Sequence, residues 1–208
     1  MTSYEKAKFI TFEGGEGSGK STQSKLLYEH LLSQGIDAIL TREIGGTKEA
    51  EAIRNLMLHS ELAPMSELLL VMAARYEHVH NVIIPALNSG KWVVCDRFID
   101  STACYQGMHK DIGIDMVYTL HRQLISGLMP DITFFIDVSV DIGMQRALKR
   151  AGNNKFEDKD LDFHNQVHKG FTQITALFPK RVIRIDANNL SINEVHNEVI
   201  RNLDLIIR

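Results

Sequence analysis

Eight residues, Gly14-Gly15-Glu16-Gly17-Ser18-Gly19-Lys20-Ser21, constrain this chain more than any other stretch. They match G-x-x-x-x-G-K-[ST], and Thr22 follows. The glycines let successive backbone amides turn inward around phosphate oxygens, through φ angles that side chains resist. A helix starting at the lysine adds the positive end of its dipole. Lys20 reaches the β and γ phosphates as a point charge, and the Ser21 hydroxyl can ligate Mg²⁺. The motif asks for a strand before it, a helix after it, and the phosphates of a nucleotide such as ATP between them.

The flanking sequence supplies those elements. Phe9-Ile10-Thr11-Phe12-Glu13 reads as a strand, and residues 20–33 read as a helix with Leu27 and Leu31 on one face and Gly35 at its end. Further strands are expected at 36–41, 92–95, 132–136 and 182–185. Helices are expected at 66–88, with a kink at Pro85, and at 114–126 and 139–150. Another carries Phe163, Val167, Phe171, Ile174 and Phe178, and a last one starts at the capping box Ser191/Glu194. Five strands separated by helices predict an α/β fold, a doubly wound five-stranded parallel sheet flanked by helices, of the P-loop NTPase type. Ligands in such folds sit beyond the carboxyl ends of the strands. Glu13, Arg42-Glu43, Asp96-Arg97 and Asp137 collect there.

Composition removes other classes. The chain has 208 residues, with 44% hydrophobic and 24% charged, which excludes a disordered chain and suits a single domain over 1–208. Lys plus Arg total 23 against 26 Asp plus Glu, for a net charge of −3, so no basic face for long nucleic acid is expected. Two cysteines make neither a disulfide framework nor a four-ligand zinc site. The N-terminal residues 1–8 lack the apolar core of a signal peptide, and the longest apolar run, 68–74, is far below the roughly 20 residues that span a bilayer. The expectation is a cytoplasmic protein without membrane association.

A nucleotide loop alone leaves a kinase, a switch GTPase and a motor ATPase open. There is no N-K-x-D guanine motif and no length for a motor's partner domains, which favours a small kinase. Asp96-Arg97-Phe98 follows the third strand directly. Asp96 stands where a second, acidic magnesium contact can lie, or a helix N-cap. Arg97 can clamp an anionic phosphate bidentately, or make a surface ion pair.

Several further segments now matter together: Phe12-Glu13-Gly14, Thr41-Arg42-Glu43-Ile44-Gly45-Gly46-Thr47, Ala73-Ala74-Arg75, Asp96-Arg97-Phe98, Ser101-Thr102-Ala103-Cys104-Tyr105-Gln106-Gly107, and Pro130-Asp131. With them the chain resembles the thymidylate kinases of the P-loop nucleoside monophosphate kinase group nearly end to end. The resemblance implies transfer of the γ-phosphoryl of ATP to dTMP with Mg²⁺, giving dTDP and ADP, and a homodimer formed through helix packing. It implies that Arg75 hydrogen-bonds the thymine edge, Arg97 holds the dTMP phosphate, and Glu13 lies near acceptor and magnesium. It puts Tyr105 against the deoxyribose, Ser101 and Gln106 on the nucleotide or its supporting loop, and Arg42 in the dTMP set. Ser21 and Asp96 form the metal set. Two positions depart from the family pattern. Val71 stands where an aromatic residue commonly stacks on thymine, and Ile44 stands where Pro is usual.

The phosphate loop carries Glu16 and no arginine, which is similar to family members whose arginine lies in a lid. The lid is expected at about 150–157, with Arg146, Lys149, Arg150 and Lys155 as its cations and Arg150 as the catalytic one. His164 and His168, four apart on a helix, are half a metal site at most and read better as ordinary histidines. Two alternatives remain: a related P-loop kinase for another nucleotide or deoxynucleoside, and a non-catalytic ATP-binding regulatory module.

Overall fold

A computed structural model describes residues 7–125, 127–149, 156 and 159–207. Its strands are β1 (Phe9–Glu13), β2 (Ala38–Arg42), β3 (Trp92–Asp96), β4 (Ile132–Asp137) and β5 (Val182–Asp186). They form an all-parallel sheet in the order β2-β3-β1-β4-β5. The helices are α1 (Lys20–Ser33), α2 (Lys48–His59), α3 (Pro64–His78), α4 (Ile84–Asn88), α5 (Ile99–Tyr105), α6 (Ile114–Leu124), α7 (Val140–Leu148), α8 (Leu161–Leu177) and α9 (Ile192–Ile207). The expected doubly wound architecture is present. No helix among the described residues is long and apolar enough to cross a membrane.

The interior strands β1 and β4 are buried at every position, which is why they read as continuous apolar runs, whereas the edge strands β2 and β5 carry exposed positions. Alternation along β1 divides the core. Ile10 and Phe12 pack with Leu27 and Leu31 of α1 and with Val195, Val199 and Leu203 of α9. Phe9 packs on the other face with Phe98, Ile99, Val117 and Phe171, and Thr11 and Glu13 share that face.

Helix α1 has the expected bounds, and Gly35, at φ 74°, turns the chain out of it. The capping box is formed: the Ser191 amide donates to Glu194 Oε2 at 2.8 Å and the Glu194 amide to Ser191 Oγ at 3.3 Å. The expected helix 66–88 differs in detail. It begins at Pro64, whose missing N–H costs nothing in a first turn, and a π-helical turn at Val79–Ile83 separates α3 from α4. That turn absorbs the disturbance of Pro85, which cannot donate to the carbonyl four residues back. Sequence periodicity does not reveal α2 or α5. Only Ala50 and Met57 of α2 are buried, and α5 has seven residues, too few for a period to register.

Candidate active site

The chain leaves β1 at Glu13, passes through the glycine-rich loop and enters α1 at Lys20. Gly17 shows why the loop needs glycine. Its φ is 66°, and a Cβ there would stand 1.9 Å from the Gly143 carbonyl oxygen of α7. The Lys20 ammonium folds back to the Gly15 carbonyl at 3.1 Å.

β3 lies beside β1, with Phe12 in register with Asp96. The Arg97 amide donates to the Phe12 carbonyl at 2.9 Å. Arg97 takes φ 69°, a left-handed conformation that costs a non-glycine residue roughly 1–3 kcal/mol and that surrounding contacts must hold. Those contacts are present. Nη1 donates to the Gly14 carbonyl at 3.1 Å and to Ser101 Oγ at 3.0 Å; Nη2 donates to Glu16 Oε1 at 2.7 Å and to Tyr105 Oη at 3.2 Å. The guanidinium also lies 5.0 Å from the centroid of the Tyr105 ring. Burial opposes the Arg97 charge, but Tyr105, Glu16, Asp96 and Glu13 outweigh it and hold the pKa above its ordinary value. Tyr105 remains a phenol, because burial pushes its pKa up despite the Arg97 charge, and its hydroxyl donates to Glu16 at 2.8 Å.

These elements surround a cavity of about 250 Å³. Glu16, Lys20 and Ser21 line it from the phosphate loop, and Arg97, Ser101, Tyr105 and Gln106 line it from the opposite side. Arg42, Arg75, Val71, Asp96 and Phe98 also reach it. Among the described residues its charged walls comprise five cations (Lys20, Arg42, Arg54, Arg75, Arg97) and three carboxylates (Glu16, Glu43, Asp96). A chain of net charge −3 thus presents a cationic interior here, suited to polyanionic ligands.

Arg75 is held from behind. Its Nε donates to Glu43 Oε2 at 2.7 Å and its Nη2 to Thr102 Oγ1 at 2.8 Å, and the guanidinium lies 4.8 Å from the centroid of the Phe98 ring. Burial works against the Glu43 charge, but Arg75 and then His78, 3.0 Å away, hold its pKa below the usual carboxylate range. Arg42 is half exposed and pairs with Glu51 at 2.9 Å, a bridge worth at most about 1 kcal/mol.

Glu13 lies deeper than the sequence suggests. It is wholly buried and is not part of the cavity wall. Its Oε1 accepts from the Phe98 amide at 2.7 Å and its Oε2 from Ser101 Oγ at 2.5 Å. Burial, then the Asp100 charge, pushes its carboxyl up to about 7. Ser18 and Thr22 also stand off the wall: Ser18 Oγ is buried, and Thr22 is exposed on α1. Asp96 reaches the cavity with Oδ1 buried and without a hydrogen-bond partner among the described residues, which fits a cation ligand better than an N-cap. Arg150 and Lys155 lie outside the described residues. Phe156, within the expected lid, lines the cavity and sets its ring edge-on to Tyr105 at 5.7 Å.

Some lining residues escaped the sequence reading. Arg54, on the unanticipated α2, donates to the Ile44 carbonyl at 3.1 Å, and burial together with Arg42 lowers its pKa. Its only sequence signal is a cation inside a helix that periodicity did not reveal. His168, weighed above for metal, instead meets Asp137 Oδ1 at 2.7 Å.

A family model described as thymidylate kinase matches residues 12–199. The chain belongs to the thymidylate kinase family. It is 52% identical over 206 residues to the thymidylate kinase of Rickettsia bellii (strain RML369-C), across 99% of this chain and 100% of that protein. It is 53% identical over 203 residues to that of Rickettsia africae (strain ESF-5), across 98% and 100%. Among solved structures, the crystal structure of thymidylate kinase from Ehrlichia chaffeensis superposes with a TM-score of 0.78 at 40% identity, covering 95% of this chain and 99% of that one.

Of the two departures from the family pattern, Val71 reaches the cavity directly, and Phe98, Tyr105 and Phe156 are aromatic rings that line the same cavity. Tyr76 does not take part. It is exposed and stacks on His80 at 4.0 Å. At the second departure, the peptide between Glu43 and Ile44 is cis.

Proposed function

We propose that this cavity transfers the γ-phosphoryl of ATP to dTMP, giving dTDP and ADP and so serving dTTP synthesis. The reaction is that of the family to which the chain belongs. The observation that carries the assignment to these residues is that Lys20 and Arg97 line one cavity. A donor phosphate chain on the loop amides and Lys20 then faces a monoester gripped by Arg97. Arg75 reads the thymine edge, Tyr105 stands against the deoxyribose, and Ser101, Gln106 and Arg42 complete the dTMP side. The loop 14–22 holds the ATP phosphates.

The acceptor needs no strong base. The second pKa of a phosphate monoester is about 6, so at neutral pH it is mostly dianionic and nucleophilic. Catalysis comes from in-line alignment, neutralisation of phosphates that repel one another, and exclusion of water. Ser21 and Asp96, through its free Oδ1, are the groups that would hold Mg²⁺, which neutralises charge on the phosphoryl oxygens when bound. Arg150 is the lid cation assigned to the transferring phosphoryl. Leu69 and Tyr76, exposed on α3, support association as a homodimer. A cytoplasmic location and the absence of a long nucleic-acid partner complete the reading.

The test is a steady-state acceptor screen with ATP and Mg²⁺ over dTMP, dUMP, dCMP, dGMP, AMP and thymidine, with Lys20→Ala as control. dTMP is the preferred acceptor, dUMP a poor one, and Lys20→Ala abolishes transfer. Preference for another acceptor, or transfer that survives Lys20→Ala, would overturn the assignment.

A further inference from the structure

A polar seam runs through the otherwise apolar layer behind α5. Arg181, in the turn before β5, donates from Nη1 to Asp100 Oδ2 at 2.7 Å and from Nη2 to Asp100 Oδ1 at 2.8 Å. The same Nη1 reaches Thr133 Oγ1 of β4 at 2.7 Å, and Thr133 meets Thr11 Oγ1 of β1 at 2.7 Å. The Tyr118 hydroxyl of α6 also donates to Asp100. Four elements or turns, two of them through Arg181, are thus tied to one carboxylate at the start of α5. None of Arg181, Thr133, Thr11 and Tyr118 lines the cavity.

The seam ends at the acceptor wall. Asp100 precedes Ser101, whose hydroxyl donates to Glu13 and accepts from Arg97 Nη1. Glu13 takes the Phe98 amide with its other oxygen, so its carboxylate fixes the chain on both sides of Ile99. Both bonds need an acceptor, and an ionised carboxylate supplies two. Asp100 is a like charge pressed toward Glu13 in the same buried layer, and Arg181 is the group that balances Asp100. Burial opposes the Arg181 charge, but the Asp100 bonds hold its pKa above its ordinary value.

Resting on the dTMP reading above, we infer that the buried Asp100–Arg181 pair is a positioning device for the acceptor wall: it acts through Glu13 on Ser101 and the Phe98 amide, and so on Arg97. Neither residue touches substrate. The groups facing Glu13 are Asp100 and Cys104 of α5, Arg97 and Cys95 at the end of β3, and Arg181 before β5. Neither member of the pair lines the cavity, so either can be altered without entering the wall.

The experiment compares Arg181→Met and Asp100→Asn with the wild type. The readouts are the pH profile of kcat/KM for dTMP and the pH dependence of thermal stability. Loss of Arg181 leaves two carboxyls that take up a proton together at higher pH, so the acid limb moves up by about one unit. Asp100→Asn removes the like charge and leaves Arg181, so the limb moves down. Opposite shifts from the two halves of one ion pair are not what simple loosening of the fold produces. Arg181→Lys keeps the charge and restores the limb while recovering only part of kcat/KM. Limbs that stay in place, or move in the same direction, overturn the inference. If Arg181→Met does not fold, a missing downward shift in Asp100→Asn overturns it equally. A wild type inactive on dTMP would sink the functional reading instead, and the two opposite shifts would still be required of the stability curves.

Discussion

Gly143 of α7 is the position where one methyl group tests how the phosphate loop is held. A Cβ built there would stand 2.5 Å from the Glu16 carbonyl oxygen, a backbone atom with no rotamer to yield. Ordinary contact begins at 3.4 Å. Loop or helix must therefore move by roughly 1 Å, and a displacement of that size in a reacting group costs about 10²-fold in rate. The stability balance is different. Overpacking costs about 1–3 kcal/mol, while Gly→Ala inside a helix returns up to about 1 kcal/mol. The net loss is about 0–2 kcal/mol, or up to roughly 4–8 °C in Tm for a domain of this size. Gly143→Ala is thus expected to keep its fold and lose most of its kcat, with the KM for ATP raised and the KM for dTMP little changed. A coupled assay of ADP release, with both substrates varied, separates these constants, and thermal unfolding checks the fold. A folded Gly143→Ala protein with wild-type kcat and wild-type KM for ATP would refute the claim that α7 fixes the loop through this contact.

Three further outcomes are expected. Val71→Phe places a ring at a position that already lines the cavity, and base–aromatic stacking is worth about 1–3 kcal/mol, so KM for dTMP should fall roughly five-fold or more; an unchanged or higher KM would count against thymine lying there. Arg150→Ala should lower kcat far more than it raises KM for ATP, since an arginine on the transferring phosphoryl is worth about 10³–10⁵ in rate; an unaffected kcat would discard the assignment. Glu13→Gln should stabilise the protein in a pH-dependent way. The folded carboxyl titrates at about 7 against 4.5 unfolded, so the folded state binds the extra proton between those values and ionisation destabilises it as pH rises. The stability gain of the glutamine variant should be near zero below pH 4.5 and grow to roughly 3 kcal/mol by pH 7; a gain independent of pH would remove burial of the charge as its cause.

How much of this was legible in the sequence depends on whether a signal is local. The glycine-rich loop, the strand before it and α1 are short-range features, and their bounds agree with the sequence reading. The capping box Ser191/Glu194 is local for the same reason. Glu13 shows the opposite case. Its place beside the phosphate loop suggested a ligand contact, but alternation along β1 turns it to the face that α5 covers, where Ser101 and the Phe98 amide take both oxygens. That outcome depends on α5, whose seven residues leave no periodic trace. Arg54 was missed because the helix that carries it buries only two side chains. The Asp100–Arg181 pair spans 81 positions, and no pattern along the chain links them.

The meeting of Lys20 and Arg97 belongs to neither class, because sheet topology forces it. Arg42 is in register with Asp96, and Asp96 with Phe12, so the ends of β2, β3 and β1 stand in a row. Parallel strands all end at the same side of a sheet, and the crossover order β2-β3-β1-β4-β5 leaves a crevice where chain connections diverge from β1 and β3. A loop leaving β1 and an arginine following β3 then have one place to go. The left-handed turn at Arg97 settles the last choice, because it directs the guanidinium across to Gly14 and Glu16 and not along β3. Register thus accounts for the shared level of the two strand ends, and a single backbone conformation accounts for the side. An Arg97→Lys variant keeps the charge but lacks the fork that bonds Gly14, Ser101, Glu16 and Tyr105 together, so it should recover little of the activity that Arg97→Ala loses; recovery to the wild-type level would mean that charge alone, without this geometry, holds the acceptor.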